Sequence, residues 1–408
     1  MTPAAAAPGG QAPAWSGHAR GSRAYRRLLV ALFCAGIATF AQLYSPQATL
    51  PEIAAQLRVD AASSALTVSA ATLGLAVGVI PWSSVADRLG RVRAMSIALI
   101  GATLFGFLVP FTPNFTALLA GRFFEGLMIA GVPAVAIAYL SEEVDVRSAA
   151  RAAGTYVAGT TIGGLSGRLI AGPLAEIAGW RVGVLAVVVV CAAATVAFML
   201  LAPIPRGFTP HGRRSPGRTL AQLCVNLRSR RQLALYLQAL ALMGGFVALY
   251  NYLTFRLASA PFGLPPGVVA LIFLAYLAGT WSSAQAGALA SRFGRLPVLI
   301  ASTLVMAAGV AITLVDVLVV VIAGLVVATA GFFGAHAVAS GWTGADAATG
   351  RAQAASLYNL FYYTGSSVFG WLGGVFLAGA GWPGVVLMVE VLVVAALGVA
   401  SLVLRPGL

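Results

Sequence analysis

A basic and an acidic residue three positions apart, Arg122 and Glu125, interrupt an otherwise apolar run at about 115–140. Three residues is close to one helical turn, so both side chains share a helical face. Charges in an apolar setting face a cavity or each other, because stripping water from either one alone is costly. Burial raises a carboxylate's pKa and a neighbouring guanidinium lowers it. Two roles are therefore open to Glu125: a proton carrier that answers ligand or conformation, or one half of a fixed ion pair. Arg168, in the run at about 154–175, poses the same question with no acidic neighbour in sequence closer than Glu176. It needs an anionic ligand, a structural partner such as Glu176, or a route outward to the interface.

A third constellation lies in a polar break. Asp87, Arg88, Gly90 and Arg91 follow one apolar run and precede the next. Gly90 permits a tight turn, the two arginines stay on the polar side, and Asp87 is free to pair with a helix end or an arginine elsewhere. Contacts of that kind act as a latch if two halves of a molecule separate and rejoin.

Those residues need apolar helices to hold them. Of 408 residues, 60% are hydrophobic and 9% charged, with mean hydropathy +0.92. Soluble chains carry about a quarter charged residues, so most of this surface faces lipid. Crossing about 30 Å of hydrocarbon takes roughly 20 apolar helical residues. Apolar segments fall at about 27–48, 64–85, 94–112, 115–140, 154–175 and 182–202, then 233–255, 267–289, 297–315, 318–341, 354–378 and 384–404. The expected fold is all-α and membrane-embedded, with twelve transmembrane helices. Its expected domains are a disordered Ala/Pro/Gly-rich leader (1–25), a six-helix bundle (26–202), a linker (203–232) and a second bundle (233–408). A signal-peptide reading of Arg23, Arg26 and Arg27 with the following run is set aside, because the apolar stretch continues to about Thr49 without a cleavage site.

The net charge is +14, and all 25 basic residues are arginine. They lie between apolar segments, which argues for membrane topology rather than nucleic acid. With the N-terminus inside, the inner segments hold Arg20, Arg23, Arg26, Arg27; Arg88, Arg91, Arg93; Arg147, Arg151; Arg206, Arg213, Arg214, Arg218, Arg228, Arg230, Arg231; Arg292, Arg295; Arg351 and Arg405. The positive-inside rule then places both termini in the cytoplasm. Cys34, Cys191 and Cys224 have no metal or redox spacing. No metal site or cofactor is expected, and without lysine no Gly-Lys-Ser/Thr nucleotide loop exists.

The two halves repeat. Asp87-Arg88-Leu89-Gly90-Arg91 matches Ser291-Arg292-Phe293-Gly294-Arg295 at an offset of 204 (291 − 87), and Gly179-Trp180 matches Gly381-Trp382 at 202 (381 − 179). Parallel repeats of this kind place a substrate cavity between the halves near mid-membrane.

The loop at Asp87–Arg91, with its weaker copy, resembles the signature loop of the major facilitator superfamily. Tyr139 to Glu143, Gly163 to Arg168 and Phe361 to Ser367 are similar to YnfM-type bacterial permeases. The resemblance covers nearly everything after residue 25. It implies two pseudo-symmetric six-helix bundles, alternating access, a multi-pass monomer in the bacterial inner membrane, and a small-molecule substrate. In this pattern Asp87, Arg88, Gly90, Arg91, Arg292, Gly294 and Arg295 form the latch, with Ser83 in place of the usual leading Gly and Ser291 in place of Asp. Arg122 and Glu125 match the fourth-helix motif of drug/proton antiporters, where Gln is usual at the Glu125 position, and take the role of proton coupling. Gly163, Gly167 and Gly172 match the glycines of the fifth-helix antiporter motif and pack that helix. Arg168 stands where that motif has Pro, and Ala171 where it has Gly. Helices that line the cavity in this family supply the expected substrate-binding groups: Gln42, Tyr44, Arg168, Gln238, Tyr250, Asn251, Tyr358, Asn359 and Tyr362. The resulting expectation is proton-coupled export of a small organic solute, with proton-coupled import of a sugar-like or organic-acid solute as runner-up. An intramembrane serine protease built on Ser166 and His336 leaves both the repeat and the loop unexplained.

Overall fold

A computed structural model describes residues 15–208 and 216–405. The order is α1 (Arg23–Tyr44), a 3-10 turn and α2 (Leu50–Leu57), α3 (Ala61–Leu89), α4 (Arg91–Leu108), α5 (Phe115–Ile129), α6 (Pro133–Glu143), α7 (Val146–Ala178) and α8 (Trp180–Leu201). Then follow α9 (Pro216–Arg228), α10 (Arg230–Ala258), α11 (Pro266–Val269), α12 (Tyr276–Phe293), α13 (Arg295–Ile312), α14 (Leu318–Asp346) and α15 (Arg351–Val403). Ten of these helical stretches are long and apolar enough to cross a membrane. The stretch α15 is two spans, broken by non-helical backbone at Ala380 and Gly381. The twelfth span is α7, which carries Arg147, Arg151, Arg168 and Glu176. Spans 1 to 6 and 7 to 12 fall on either side of the linker helix α9.

Both ends of the described chain lie on one face, here the terminal face: Arg27 donates to Leu200 O at 2.8 Å, and Arg231 to Arg405 O at 3.4 Å. The opposite face is called distal. Of the expected disordered leader, residues 1–14 lie outside the described residues, but 15–25 pack. Trp15 Nε1 donates to Glu142 O, His18 N donates to Glu143 O, and Ser22 caps α1 through Tyr25 N. Hydrogen bonds from the Trp15 indole, the His18 backbone and the Ser22 cap hold this strap down where composition alone suggests none. Arg213 and Arg214 of the linker also lie outside the described residues.

The repeat has a structural cause. Gly90, Gly179, Gly294 and Gly381 all adopt positive φ (88°, 84°, 91° and 63°), conformations that favour glycine, and each ends one helix and starts the next. Beside two of them the halves solve one problem alike. Arg181 stacks on Trp180 and donates to Pro110 O at 2.6 Å, covering carbonyls at the end of span 3. Arg256 stacks on Trp382, and both donate to Thr313 O at the end of span 9. Carbonyls freed at helix ends must be covered in or near lipid, and an Arg-on-Trp pair covers them in each half.

Candidate functional site

The first span ends because Pro46 has no N–H to give the carbonyl of Gln42. Arg122 of α5 covers the carbonyls at that end: its Nη1 donates to Gln42 O (3.2 Å), which also accepts from Ser45 Oγ (3.3 Å), and its Nη2 to Leu43 O (2.6 Å), while its Nε reaches Thr67 O within α3 (3.0 Å). Its Nη1 also meets Glu125 Oε2 at 2.7 Å, and both side chains are 1% exposed. A cation at the C-terminal end of α1 also complements the helix dipole. The pair thus lies inside the first bundle, tying α1, α3 and α5, rather than between the bundles. Gln42 lies there too: its Nε2 bonds Ala38 O, while its Oε1 is buried without a partner.

Packing of α7 on α1 uses glycine at four-residue spacing. A Cβ on Gly163 would sit 2.7 Å from Ile37 Cα, and one on Gly167 would sit 2.8 Å from Ala41 Cα. Small residues let backbones touch, which replaces the hydrophobic driving force that lipid removes. Gly163→Val is therefore expected to cost about 1–3 kcal/mol by forcing the helices apart. Gly154→Ala, where no atom lies within 4 Å of the added carbon, is expected to leave the thermal midpoint of the purified protein unchanged. Equal midpoints for both variants would count against the seam.

The seam delivers Arg168, 1% exposed, to the junction of the halves. Its Nε donates to Gln47 Oε1 at 2.8 Å, Nη2 donates to the same oxygen and to Tyr276 OH (3.2 Å), and Nη1 donates to Gly164 O (2.6 Å). Its guanidinium carbon lies 4.5, 4.6 and 4.9 Å from the ring centroids of Tyr44, Phe273 and Tyr276. No carboxylate pairs with it among the described residues. Glu176 is used elsewhere, accepting from Gly267 N at 3.0 Å. Gln47 continues the network, its Nε2 donating to Asn251 Oδ1 at 2.7 Å, and Asn251 Nδ2 donates to Gly370 O at 3.3 Å.

Every hydrogen bond joining the two bundles among the described residues lies toward the distal face. Besides Gln47–Asn251, Arg168–Tyr276 and Gly267–Glu176, Ser367 Oγ meets Thr72 Oγ1 at 2.7 Å and Ser69 O at 3.0 Å. Added carbons on Gly172 and Gly374 would collide with Ala270 and Ala62 of the opposite half. The terminal-side stretches of α7 and α12 have no such bond and are largely exposed. The halves therefore meet distally and part toward the terminal face.

This architecture has known counterparts. Residues 28–282 match the family model of the Major Facilitator Superfamily. The chain is 35% identical over 386 residues to the uncharacterised MFS-type transporter YybF of Bacillus subtilis strain 168, covering 95% of each. The chain belongs to the major facilitator superfamily. It is also 39% identical over 382 residues to the inner membrane transport protein YnfM of Escherichia coli K12, covering 94% of this chain and 91% of that one. Among solved structures it resembles a bacterial homologue of the human lysosomal transporter Spinster, inward-facing and occupied. The TM-score is 0.76 at 17% identity, over 94% of this chain and 98% of that one. It also resembles the nucleoside transporter NupG, as its D323A mutant (TM-score 0.76, 14% identity, 93% and 100% coverage). The superfamily makes this chain a membrane-embedded secondary transporter of a small molecule.

The superfamily loop is asymmetric here. Arg91 Nη1 meets Asp87 at 2.6 Å, and its Nη2 meets Glu142 at 2.7 Å, with Phe208 of the linker over the guanidinium. All of these partners belong to the first half or the linker. Arg88 is exposed, as are Arg292, Gly294 and Arg295, and none of the three arginines forms an ion pair among the described residues. Glu143, next to Glu142, accepts from Arg206 N and Gly207 N at 2.7 Å and faces His18. Burial pulls the His18 imidazole below its ordinary pKa, against the opposing pull of Glu143.

The remaining expected cavity groups divide. Tyr44 and Asn251 join the Arg168 network. Tyr250 stands one layer behind, stacked on Phe273 and bonded to Thr329 at 2.7 Å. Tyr358 OH meets His336 Nδ1 at 3.0 Å, and Tyr362 packs on that imidazole at 4.8 Å. Asn359 is half-buried with no side-chain hydrogen bond. Gln238 turns away from the interface into its own bundle, donating to Ala396 O at 2.7 Å. Ser166 donates to Gly163 O, so no bond joins it to His336 as a protease would need. Sequence reasoning missed Gln47, Phe273, Tyr276 and Ser367. Gln47 had a signal, since a glutamine one residue past a helix-ending proline is free to reach sideways.

Proposed function

We propose that this chain is a monomeric, proton-coupled exporter that moves a small organic solute across the bacterial inner membrane by alternating access between its two bundles, with both termini cytoplasmic. The observation that carries the reading is the one-sided closure. Among the described residues, hydrogen bonds between the halves lie on the distal side alone, so in this state the space between them is open to the terminal face. That face also carries the arginine-rich loops, and positive loops stay in the cytoplasm. Loading from the cytoplasm and release after the distal seam opens amounts to export; the same opening serves release in import, and the imposed gradient separates the two. The inner-membrane assignment of the relative YnfM agrees with the location proposed.

Proton coupling rests on Glu125, a carboxylate 1% exposed within the spans and tied to three helices through Arg122. Protonating it removes the ion pair but leaves Arg122 its carbonyl acceptors, so both protonation states keep the guanidinium bonded. The test is proton movement in inverted membrane vesicles holding an imposed pH gradient, challenged with a panel of sugars, organic acids and amphipathic amines. Wild type is expected to dissipate the gradient with at least one of them. Glu125→Gln is expected to lose that response while still exchanging the solute down its own gradient. Unaltered dissipation in Glu125→Gln would remove Glu125 from coupling, and a solute driven only in right-side-out vesicles would make the protein an importer.

A further inference from the structure

Arg168 is a buried cation without a counter-charge. All eleven acidic residues of the chain lie among the described residues, and none is within ion-pair distance of it. A charge held in a span without a partner is costly and marks a function by default. Three aromatic rings and four hydrogen bonds offset part of that cost, but they leave its positive field unneutralised.

How the guanidinium is occupied is informative. Its Nε and Nη2 form the fork edge that matches the two oxygens of a carboxylate. Here that edge points at one neutral oxygen, Gln47 Oε1. An amide oxygen on the fork is a weaker acceptor than a carboxylate. On the neighbouring face of the second half, Ser366 Oγ is buried beside Tyr44, with no other polar partner among the described residues. Leading away from the cage toward the terminal face, Tyr276, Phe333, Tyr362 and His336 are all half-buried. Phe333 meets Tyr276 edge-on at 5.6 Å, and Tyr362 meets His336 at 4.8 Å, so the wall beside the cation is aromatic.

We propose that Arg168 anchors the transported solute, that the solute is a small organic anion with a carboxylate on a flat, aromatic body, and that its carboxylate displaces Gln47 from the guanidinium fork. The proposal deepens the transport reading above and rests on it for the word transported. Its second half follows from the same bonds. Gln47 bonds Arg168 with its oxygen and Asn251 of the opposite half with its nitrogen. A solute that takes the fork releases Gln47 and loosens a bond that closes the distal face. Binding from the terminal side thereby favours opening on the other. Cationic solutes are disfavoured by the same uncompensated charge.

The test uses the full chain in lipid nanodiscs. Calorimetric titration compares 2-naphthoate, the isosteric neutral 2-naphthamide and the cation 2-naphthylmethylammonium, with benzoate, salicylate and 4-hydroxyphenylacetate as further carboxylates. At least one carboxylate is expected to bind, and 2-naphthamide about tenfold or more weaker than 2-naphthoate, as losing a charged hydrogen bond implies. Arg168→Gln is expected to weaken carboxylate binding by about ten- to a hundredfold. Because that variant risks misfolding, Gln47→Ala provides a second reading: it vacates the fork, and carboxylate affinity is expected to rise. Equal binding of 2-naphthoate and 2-naphthamide overturns the proposal. So does binding of the cation alone, failure of every carboxylate to bind, or unchanged affinity in both variants.

Spin labels at Gln56→Cys and Ser259→Cys on the distal face, with Cys34 and Cys224 replaced by serine, read the coupling. Adding a binding carboxylate is expected to lengthen the distal distance. Carboxylate binding with a distance that never changes, under any ligand or pH, rejects alternating access while leaving the anion site standing. A distance that changes with pH but is untouched by a bound carboxylate rejects the Gln47 link.

Discussion

Replacing Arg122 with methionine is expected to cost about 3–5 kcal/mol of stability, the loss typical of removing one partner from a buried ion pair. Two consequences add. Glu125 is left at 1% exposure with no cation, and must either stay charged or take up a proton. The carbonyls of Gln42, Leu43 and Thr67 lose the bond Arg122 gives them, Gln42 O keeping the one from Ser45 Oγ at 3.3 Å; in a membrane interior, water does not replace what is lost. Glu125→Gln is expected to cost much less, because an amide oxygen still accepts from the guanidinium. The double variant Arg122→Met, Glu125→Leu separates the two consequences. It relieves the stranded carboxylate but not the carbonyls, so it is expected to recover part of the loss. Reversible unfolding in SDS measures all three. A loss in Arg122→Met no larger than in Glu125→Gln would show that the carbonyl cap contributes nothing, and the pair's role would then lie in transport alone.

That cap also shows what the sequence made legible and what it hid. Twelve spans follow from where apolar runs start and stop, and the Gly90/Gly294 and Gly179/Gly381 turns follow from matching residues at matching offsets. Arg122 and Glu125 stand out because charge is rare in a span. Their neighbours do not, because they are backbone carbonyls at the end of α1 and within α3, and nothing in the side-chain sequence marks which of them Arg122 reaches. The cavity groups were harder for a related reason. Nearly every residue of α10 from Gln238 to Leu257 is buried, so its apolar pattern has no solvent face against which to orient Gln238, Tyr250 and Asn251. Their fates differ: Asn251 reaches the opposite half, while Gln238 covers Ala396 O within its own. Gln47 escaped because its importance lies in bridging Arg168, 121 residues on, to Asn251, 204 residues on.

The second large effect is conformational. Gly374→Val is expected to slow transport strongly while leaving the fold intact, by penalising closure of the distal face. A carbon added at Gly374 would collide with the backbone and Cβ of Ala62 in the opposite half, and Ser367, seven residues back on the same helix, bonds Thr72 and Ser69. Backbone cannot be displaced as a flexible side chain can, so the collision acts only on the state in which the halves meet there. A substitution that penalises one state and spares the other shifts the population by its full differential energy: about 5.5 kcal/mol turns a 99:1 mixture into 1:99. An overlap at a packed seam costs about 1–3 kcal/mol, occasionally more, so one valine is expected to move the balance strongly without emptying the closed state. Adding Gly172→Leu, which collides with Ala270 across the second contact, is expected to complete the shift. Spin-label distances at Gln56 and Ser259 should lengthen in steps from wild type to the single and then the double variant, with the thermal midpoint nearly constant. If the midpoint falls and the distal distance stays short, those glycines serve folding and not the gate, and distal closure would have to rest on the Gln47–Asn251 and Ser367–Thr72 bonds alone.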